Sequence, residues 1–429
     1  MHRPKVLTSL LCAAAVVIVA VIPVAAQVNQ VNGEPRVTLR YSTWAPPTPE
    51  NLAVLEAFHQ VYPDIRVEYR QRSTSLETLI PQMLSSEPPD VIDLSYSVNI
   101  DWVYAAGMVR PIDDLVARDG FDVGRFIPGT LEYAYYKGQL MGLPRSLGSS
   151  SLGTSYPIYN RRHFDEGGVA YPADDWTFDD LVSIGKKLTR ISGDGTVSQW
   201  GLSTVSASNA HLWIWSAGGE VLSSDLRTSR LLEEEAIEGL QFLVDLIHTH
   251  GVMAPVGVSS SFTAQRSAIQ PNVSTTGAMN NYKYEYPELD WSFAAMPRGP
   301  RSESGYAQIG SHVVTISATT PHVEEAWTFL KFLSSREYQE YEYYVLGKGT
   351  PHLLELAQER RFLYPDGPPW NLEVILNAGA RPVPRTMVWS EHQALLAQLL
   401  NSALRGEGDI RTLIEGNIDR INALLRSVE

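Results

Sequence analysis

Aromatic and polar side chains follow two predicted strands at the points where those strands end. Trp44 follows the strand predicted over 37–41, and Ser95 and Tyr96 follow the strand predicted over 91–94. Indole and phenol rings offer flat apolar faces to a ligand, and the hydroxyl groups beside them can bind the polar edges of that ligand. Side chains of these types suit a small polar ligand that also has an apolar face.

These side chains lie at the carboxyl ends of strands in a predicted parallel sheet. Strands alternating with helices form βαβ units, and open sheets of this kind bind ligands beyond their carboxyl ends. Glu50 begins the first helix, where it either reaches ligand hydroxyl groups or interacts favourably with the helix dipole. The hydrophobic pattern predicts strands over 37–41, 65–69 and 91–94 and helices over 50–62 and 76–84.

The remaining chain continues the mixed α/β pattern. Amphipathic periodicity and a Thr177 cap predict helices in the second half, and short apolar runs predict strands between them. The predicted helices cover 176–188, 209–217, 233–248 and 324–333, the predicted strands cover 277–279, 291–295 and 312–316, and the tail over 390–425 is mostly helical.

Size and charge restrict the class of protein. The chain has 429 residues, too many for one compact core, so two domains are expected. A formal charge of -14 argues against a nucleic-acid binder, which needs a basic face. The one cysteine, Cys12, lies near the N-terminus, so no disulfide is expected in the mature chain, and no cofactor is predicted.

The N-terminus has the pattern of a secretory signal peptide over residues 1–26. Arg3 and Lys5 precede an apolar run over 6–22, and small residues end at Ala26, so Gln27 would begin the mature chain. An uncleaved membrane anchor is the alternative, because the run is near the length that spans a bilayer. Either way, the protein is expected outside the cytoplasm, in the periplasm or on the outer face of the membrane.

The Gly/Ser-rich stretch over 138–160 is a candidate crossing between two lobes. Gly148 and Gly153 flank a serine run between two apolar segments. A hinge needs positions that absorb changes in φ and ψ, which this composition supplies. A surface hairpin is the alternative interpretation of the same pattern.

An enzyme and a metal-binding protein are the first rival classes. Glycoside hydrolysis needs two carboxylates across a cleft, and the nearest candidates flank a helix start, where acids act as caps. No GxSxG, HExxH or Walker motif is present. Tyr341, Tyr343 and Tyr344 raise the possibility of an iron site, but their mixed helical spacing favours a packed face, so no metal is predicted. The candidate acids are Asp174, Asp175, Asp179 and Asp180.

Several segments in a fixed order make the chain resemble a known family. The sequence is similar to the extracellular solute-binding proteins of ABC importers, in the carbohydrate-binding family that includes maltose-binding protein. The resemblance covers nearly all of the chain after the signal. The segments are Trp44, PPDVIDLSY (88–96), YKGQLMGLP (136–144), YNRRHF (159–164), DDWTFDDLVSIGKKLT (174–189), WSAGGE (215–220), GAMNNY (277–282) and EEAWTFLKFLSS (324–335).

The resemblance implies an α/β, two-lobed periplasmic-binding-protein fold with a ligand cleft between the lobes. The N-terminal lobe would comprise 37–145 plus 310–350, and the C-terminal lobe 146–309 plus 351–429. Hinge closure would trap the ligand and present it to the permease subunits of an ABC transporter. A sugar is the expected ligand, and a monomer with no nucleic-acid partner and no enzymatic activity is expected.

Further candidate site residues follow from the resemblance. Of the two tryptophans near residue 214, Trp213 is expected to face the ligand and Trp215 the core, because one helical face looks into the cleft. Trp176, Trp291 and Trp327 are expected in the core. Candidates from crossings and family contact regions are Arg145, Asn209, His211, Trp213, Asn280, Tyr282, Gly310, Ser311, Arg385 and Trp389.

A charged solute remains an alternative ligand. Arg145 and Arg385 could clamp a phosphate group, since guanidinium groups match phosphate geometry. A glycerophosphodiester is one such solute that members of this family carry.

Overall fold

The computed structural model describes residues 35–95, 100–144, 155–274, 278–282, 285–345, 350–377 and 379–427. The predicted signal peptide, Tyr96 and Arg145 lie outside the described residues, and so do the side chains of Asn280 and Asn281. Within the described ranges, no helix is both long enough and apolar enough to span a bilayer.

The chain divides into two units, each built from discontinuous segments. Unit 1 comprises the chain up to Leu152 together with Gly310–Gln358, and unit 2 comprises Gly153–Ile309 and Glu359–Glu429. The predicted lobe boundary at 310 falls at the same place, and the predicted boundaries at 145 and 350 fall a few residues before these divisions.

The strands of both units are short. In chain order they are β1 Val37–Thr43, β2 Ile65–Gln71, β3 Val91–Leu94, β4 Tyr135–Tyr136, β5 Gln139–Leu140, β6 Gly142–Leu143, β7 Ser155–Asn160, β8 Arg190–Ile191, β9 Val197–Leu202, β10 Ser267–Ser274, β11 Trp291–Phe293, β12 Tyr306–Ile309, β13 Val313–Ile316 and β14 Gly379–Pro382.

The α-helices alternate with the strands in both units. They are α1 Pro49–Val61, α2 Leu76–Met83, α3 Ile100–Ala105, α4 Asp113–Asp119, α5 Pro128–Leu131, α6 Arg161–Gly167, α7 Phe178–Leu188, α8 Ala210–Ser216, α9 Glu234–His248, α10 Val323–Leu333, α11 Arg336–Glu340, α12 Leu354–Ala357, α13 Arg360–Leu363, α14 Val374–Asn377, α15 Trp389–Leu404, α16 Ile410–Glu415 and α17 Ile418–Arg426.

The main sheet of unit 1 has the strand order β2-β1-β3-β13-β6 in the described residues. β1 runs parallel to β2 and β3, whereas β13 runs antiparallel to both β3 and β6. The carboxyl ends of β1, β2, β3 and β6 and the amino end of β13 therefore share one edge of the sheet. We call this edge the carboxyl edge of unit 1.

The main sheet of unit 2 has the order β14-β12-β7-β10-β9-β8, with β11 also paired to β7. β14 is parallel to β12, β9 is parallel to β10, and β7 is antiparallel to both β10 and β12. The carboxyl ends of β9, β10, β12 and β14 and the amino end of β7 therefore share one edge. We call this edge the carboxyl edge of unit 2.

One predicted strand of unit 2 is wrong. Ala278–Tyr282 forms a single π-helical turn, and the strand in this region is β10, which ends at Ser274. Pro271 interrupts the apolar alternation of β10, and the pairing with β7 shifts register between Gln270 and Val273. A β-bulge tolerates proline, so this strand does not show a regular alternating pattern.

Other local predictions are confirmed. Thr177 and Asp180 form a reciprocal capping box at the start of α7, which explains the acids clustered there. Trp176, Trp291 and Trp327 are buried, as predicted for core residues.

The tyrosines that raised the possibility of an iron site belong to the packed part of unit 1. Tyr341 and Tyr343 are buried in a π-helical turn that follows α11. Among the described residues, no group of three or more His, Cys, Asp or Glu side chains could hold a metal ion.

Candidate functional site

Trp44 stands at the carboxyl edge of unit 1, directly after β1. Its half-buried ring lies 4.8 Å from the His312 ring, and the Arg72 guanidinium carbon lies 5.8 Å from the Trp44 ring centroid. Arg72 directly follows β2, and His312 directly precedes β13. Three strands that meet at this edge thus bring together an indole, an imidazole and a guanidinium group.

A buried polar network lies beside Trp44. The Asp93 carboxylate is fully buried and accepts hydrogen bonds from the Tyr41 hydroxyl at 2.5 Å and the Thr43 hydroxyl at 2.6 Å. Arg72 donates from Nε to Ser42 Oγ at 2.9 Å and from a terminal nitrogen to the Asp93 carbonyl oxygen. These bonds tie the ends of β1, β2 and β3 together, so the edge is rigidly organised.

The other predicted residues of unit 1 lie at or near the same edge. Ser95 follows β3 and is buried, and Gly310 and Ser311 are buried just before β13. Ser311 Oγ donates to the His312 carbonyl oxygen at 3.0 Å. Glu50 lies in the first turn of α1, where its charge raises the pKa of Tyr341 in addition to the larger effect of burial.

Trp389 stands at the carboxyl edge of unit 2, after β14, and begins α15. Its half-buried ring stacks against His392 with ring centroids 5.6 Å apart and planes 11° apart. The His211 ring meets Trp389 edge-on at 5.7 Å. Trp389 therefore packs against two imidazole rings.

His211 connects α15, the helix that begins at Trp389, to β12, a strand whose carboxyl end lies at this edge. His211 Nε2 is 2.9 Å from Gln308 Oε1 on β12, and an amide oxygen only accepts, so Nε2 carries the proton. His211 Nδ1 then accepts from Gln393 Nε2 at 3.4 Å. Burial lowers the pKa of His211 to about 4, which keeps the imidazole neutral near pH 7.

His392 is a second neutral imidazole at this edge. Its side chain is buried, and neither ring nitrogen has a hydrogen-bond partner among the described residues. Burial lowers the pKa of His392 to about 4. A buried charge is costly without a partner, so the neutral form is the one that this packing favours.

Three more predicted residues follow strands of unit 2. Asn209 precedes α8 and is half-buried, and Arg385 follows β14 and is also half-buried. The Tyr282 hydroxyl donates to Gln270 Oε1 at 3.0 Å, and the Tyr282 ring packs 5.7 Å from Trp291. The backbone of Asn280 lies in the same turn as Tyr282.

The expectation that Trp213 faces a ligand is wrong. Its ring is fully buried beside the stacked pair of Phe178 and Phe242, and Nε1 donates to Asn272 Oδ1 at 3.2 Å. Every residue of α8 is buried, so this helix has no solvent-facing side that could present the indole.

Trp215 is also buried, but its neighbours differ from those of Trp213. Its ring meets His211 at 4.9 Å and lies beneath the Arg381 guanidinium at 5.0 Å. Arg381 also donates to both Glu220 oxygens, at 2.7 and 2.9 Å. Trp215 is therefore core, as expected, yet it supports the His211 side of the edge.

Sequence reasoning missed several residues at both edges. Arg72 follows β2 as Trp44 follows β1, so the strand-end rule that selected Trp44 would also have selected Arg72. His312 precedes its strand, and only the antiparallel pairing of β13 brings it to the edge. Gln308 and Gln393 carry no local signal, because they are polar residues at unremarkable positions in a strand and a helix.

Comparison with known proteins places the chain in a family. The model of the bacterial extracellular solute-binding protein family matches residues 42–340, which is more than half of the chain. The chain belongs to this family.

Two curated relatives extend this result. A binding protein of Brucella abortus is 25% identical over 317 residues, which cover 72% of this chain and 73% of the relative. The arabinooligosaccharide-binding protein of Halalkalibacterium halodurans is 24% identical over 285 residues, which cover 64% of this chain and 60% of the relative.

Solved structures share the fold of this solute-binding protein at low sequence identity. The ABC substrate-binding protein of Listeria monocytogenes in complex with cycloalternan matches with a TM-score of 0.74 and 19% identity, covering 91% of this chain and 99% of that one. UgpB of Mycobacterium tuberculosis in complex with glycerophosphocholine matches with a TM-score of 0.73 and 16% identity, covering 92% and 99%.

Proposed function

We propose that this solute-binding protein captures a carbohydrate outside the cytoplasm and delivers it to the permease of an ABC importer. The observation that supports this most is the repeated arrangement at the two carboxyl edges. Each edge presents a half-buried tryptophan beside an imidazole and hydrogen-bonding side chains. Sugars have apolar faces that stack on aromatic rings and hydroxyl groups that need such polar partners.

The ligands of the relatives support the carbohydrate class. One curated relative is named for arabinooligosaccharide, and one structural relative holds cycloalternan. The structural relative with glycerophosphocholine supports the alternative of a phosphorylated solute, for which Arg385 and Arg145 would supply positive charge. The protein would act without catalysis, as a monomer.

The mechanism would be hinge closure driven by ligand. One half of the site would comprise Trp44, Glu50, Ser95, Tyr96, Gly310 and Ser311. The other half would comprise Asn209, Asn280, Tyr282, Arg385 and Trp389. His211, predicted to contact ligand, is buried with the rest of α8 and would instead support Trp389, and Arg145 would belong to the crossing. A ligand that contacts both halves favours the closed form by its differential affinity. The closed form would then dock on the permease subunits.

A thermal-shift screen of the chain beginning at Gln27 tests this proposal. The panel contains maltotriose, arabinotriose, mannobiose, digalacturonate and glycerophosphocholine. A ligand at about 100 to 1,000 times its Kd should stabilise the protein by roughly 3 to 4 kcal/mol. A shift with glycerophosphocholine alone would change the ligand class, and release of reducing sugar from an oligosaccharide would contradict the binding function.

A further inference from the structure

Arg72 has an environment that surface arginines of this chain do not share. Among the described residues it is the one arginine or lysine that is buried, with 8% of its surface exposed. It lies at the carboxyl edge of unit 1, with its guanidinium carbon over the Trp44 ring at 5.8 Å from the centroid. Burial lowers the pKa of Arg72, and the nearby Asp93 charge opposes that effect.

The hydrogen bonds of Arg72 leave part of its guanidinium group unused. Nε donates to Ser42 Oγ, one terminal nitrogen donates to the Ser73 carbonyl oxygen at 2.7 Å, and the other donates to the Asp93 carbonyl oxygen. Each terminal nitrogen carries two N–H groups, so each keeps one N–H with no acceptor among the described residues.

No carboxylate neutralises Arg72 by direct contact. Among the described residues, no Asp or Glu side-chain oxygen lies within ion-pair distance of its guanidinium group, and Oδ2 of Asp93 instead accepts hydrogen bonds from the Tyr41 and Thr43 hydroxyls. A buried polar group without its full set of partners is costly, and proteins retain such groups where a ligand completes them.

We propose that Arg72 and Trp44 form one sugar subsite, in which Trp44 stacks on a sugar ring and the two remaining N–H groups of Arg72 bind a pair of its oxygens. The inference rests on the proposed function and adds the class of sugar unit that the subsite selects. That unit carries two adjacent acceptor oxygens, which are supplied either by vicinal hydroxyl groups or by the carboxylate of a uronic acid.

The fixed position of Arg72 suits this role. Ser42, Ser73 and Asp93 hold the guanidinium plane from three sides, so little side-chain freedom remains to be lost when a ligand binds. A guanidinium fork matches paired oxygens, which a lysine ammonium group does not. Arg72→Lys is therefore a sharp test, because it keeps the charge and removes the fork.

A purely structural role for Arg72 makes a different prediction. If Arg72 only tied the strand ends together, its substitution would lower stability and reduce the fraction of active protein, while molecules that remained folded would bind every sugar normally. Titration calorimetry separates these cases, since stoichiometry reports the active fraction and Kd reports the subsite.

The experiment titrates the saccharides of the screening panel into the wild type, Arg72→Lys, Arg72→Gln and the control Arg70→Gln. Arg70 is the matched control because it lies on the strand that Arg72 follows and pairs at the surface with Glu68 and Glu87. We expect Kd to rise roughly 30-fold or more in Arg72→Gln and about 10-fold in Arg72→Lys, and to stay unchanged in Arg70→Gln.

Salt distinguishes the two sources of oxygen pairs. If the subsite takes a uronate carboxylate, digalacturonate binding to the wild type weakens with added NaCl, and Arg72→Gln removes that dependence. If it takes vicinal hydroxyl groups, maltotriose or arabinotriose binds with little salt dependence and still loses affinity in Arg72→Gln.

If Arg72→Gln binds the saccharide with the wild-type Kd and full stoichiometry, the subsite is wrong and the carbohydrate function still stands. If no saccharide of the panel binds the wild type, the proposed function falls and the subsite falls with it. If Arg72→Gln does not fold, Ser42→Ala provides the test, because it keeps the guanidinium group and removes the acceptor of Nε, together with the Ser42 hydrogen bond to Gln82. We expect Ser42→Ala to raise Kd about 3-fold, and an unchanged Kd in both Ser42→Ala and Arg72→Lys overturns the subsite.

Discussion

The two edge tryptophans rest on different chemistry. Trp44 in unit 1 lies beside one imidazole and the Arg72 guanidinium group, whereas Trp389 in unit 2 lies beside two neutral imidazoles, one of which is hydrogen-bonded to two amides. The guanidinium group of the first support stays charged across the physiological pH range. The two imidazoles of the second support stay uncharged because burial lowers their pKa, so acid should disturb this edge of unit 2.

Removal of a core tryptophan should have the largest effect and should be confined to stability. Trp213→Ala deletes a fully buried indole and leaves the Asn272 amide without its donor, at a cost of about 3 to 5 kcal/mol. Urea denaturation should show the loss, and hydrogen exchange should locate it in unit 2. The folded fraction should bind ligand with unchanged affinity. If the folded fraction instead binds more weakly, Trp213 contributes to the binding site.

Acid should weaken unit 2. The pKa of His211 and of His392 falls from 6.5 to about 4 on folding, so the unfolded chain binds more protons between these values. Stability is therefore complete above about pH 6.5 and decreases as the pH falls toward 4, by up to about 3 kcal/mol for each imidazole. Denaturation between pH 4.5 and 7, followed by hydrogen exchange in each unit, measures the effect.

His392→Leu is the companion variant for the acid experiment. It replaces an imidazole that has no hydrogen-bond partner among the described residues with an apolar side chain. The pH dependence of unit 2 should become shallower in this variant. An unchanged slope would mean that His392 does not contribute to acid sensitivity.

Substitution of the edge tryptophans should mainly affect ligand binding. Trp389→Ala and Trp44→Ala should each weaken saccharide binding roughly 30-fold, which corresponds to about 2 kcal/mol. Titration calorimetry with the saccharide that stabilises the wild type provides the measurement, and Trp370→Ala, at an exposed ring of unit 2, serves as control. If either variant binds the saccharide as tightly as the wild type does, the edge that carries that tryptophan does not belong to the binding site.

The Arg381–Glu220 pair should give the smallest effect. Both side chains are about one-third exposed, and such pairs contribute about 1 kcal/mol or less. Glu220→Gln should lower stability by no more than this, with saccharide affinity unchanged. A larger loss would show that the Arg381 contact with Trp215 supports the His211 side of the edge more strongly than its exposure suggests.

The order of strands and helices could be predicted from the sequence because hydrophobic periodicity and helix caps are local features. Strand β1, helix α1 and strand β3 were predicted close to their observed bounds, and the rule for strand ends places Trp44 after β1 and Ser95 after β3. The same rule works for Trp389 only after β14 is known, and in the sequence its position came from family resemblance.

Residues that depend on long-range packing could not be predicted. Trp213 and Trp215 lie two residues apart on a helix that is buried on every side, so helical spacing alone could not show that both rings are covered. A Cβ on Gly239 of α9 would approach the Trp213 carbonyl oxygen to 2.5 Å, which shows how closely the neighbouring helix packs. His312 reached the edge through an antiparallel pairing that the sequence does not encode locally.

The place of β13 in the sheet has a consequence for biosynthesis. β13 lies between β3 and β6, and β6 has no other strand partner in the main sheet of the described residues. Unit 1 therefore cannot complete its sheet until the ribosome has made the whole intervening part of unit 2. Pairings between distant segments form slowly, so the nascent chain stays unfolded for longer. A chain that stays unfolded remains suitable for threading through a secretion channel before its native structure forms.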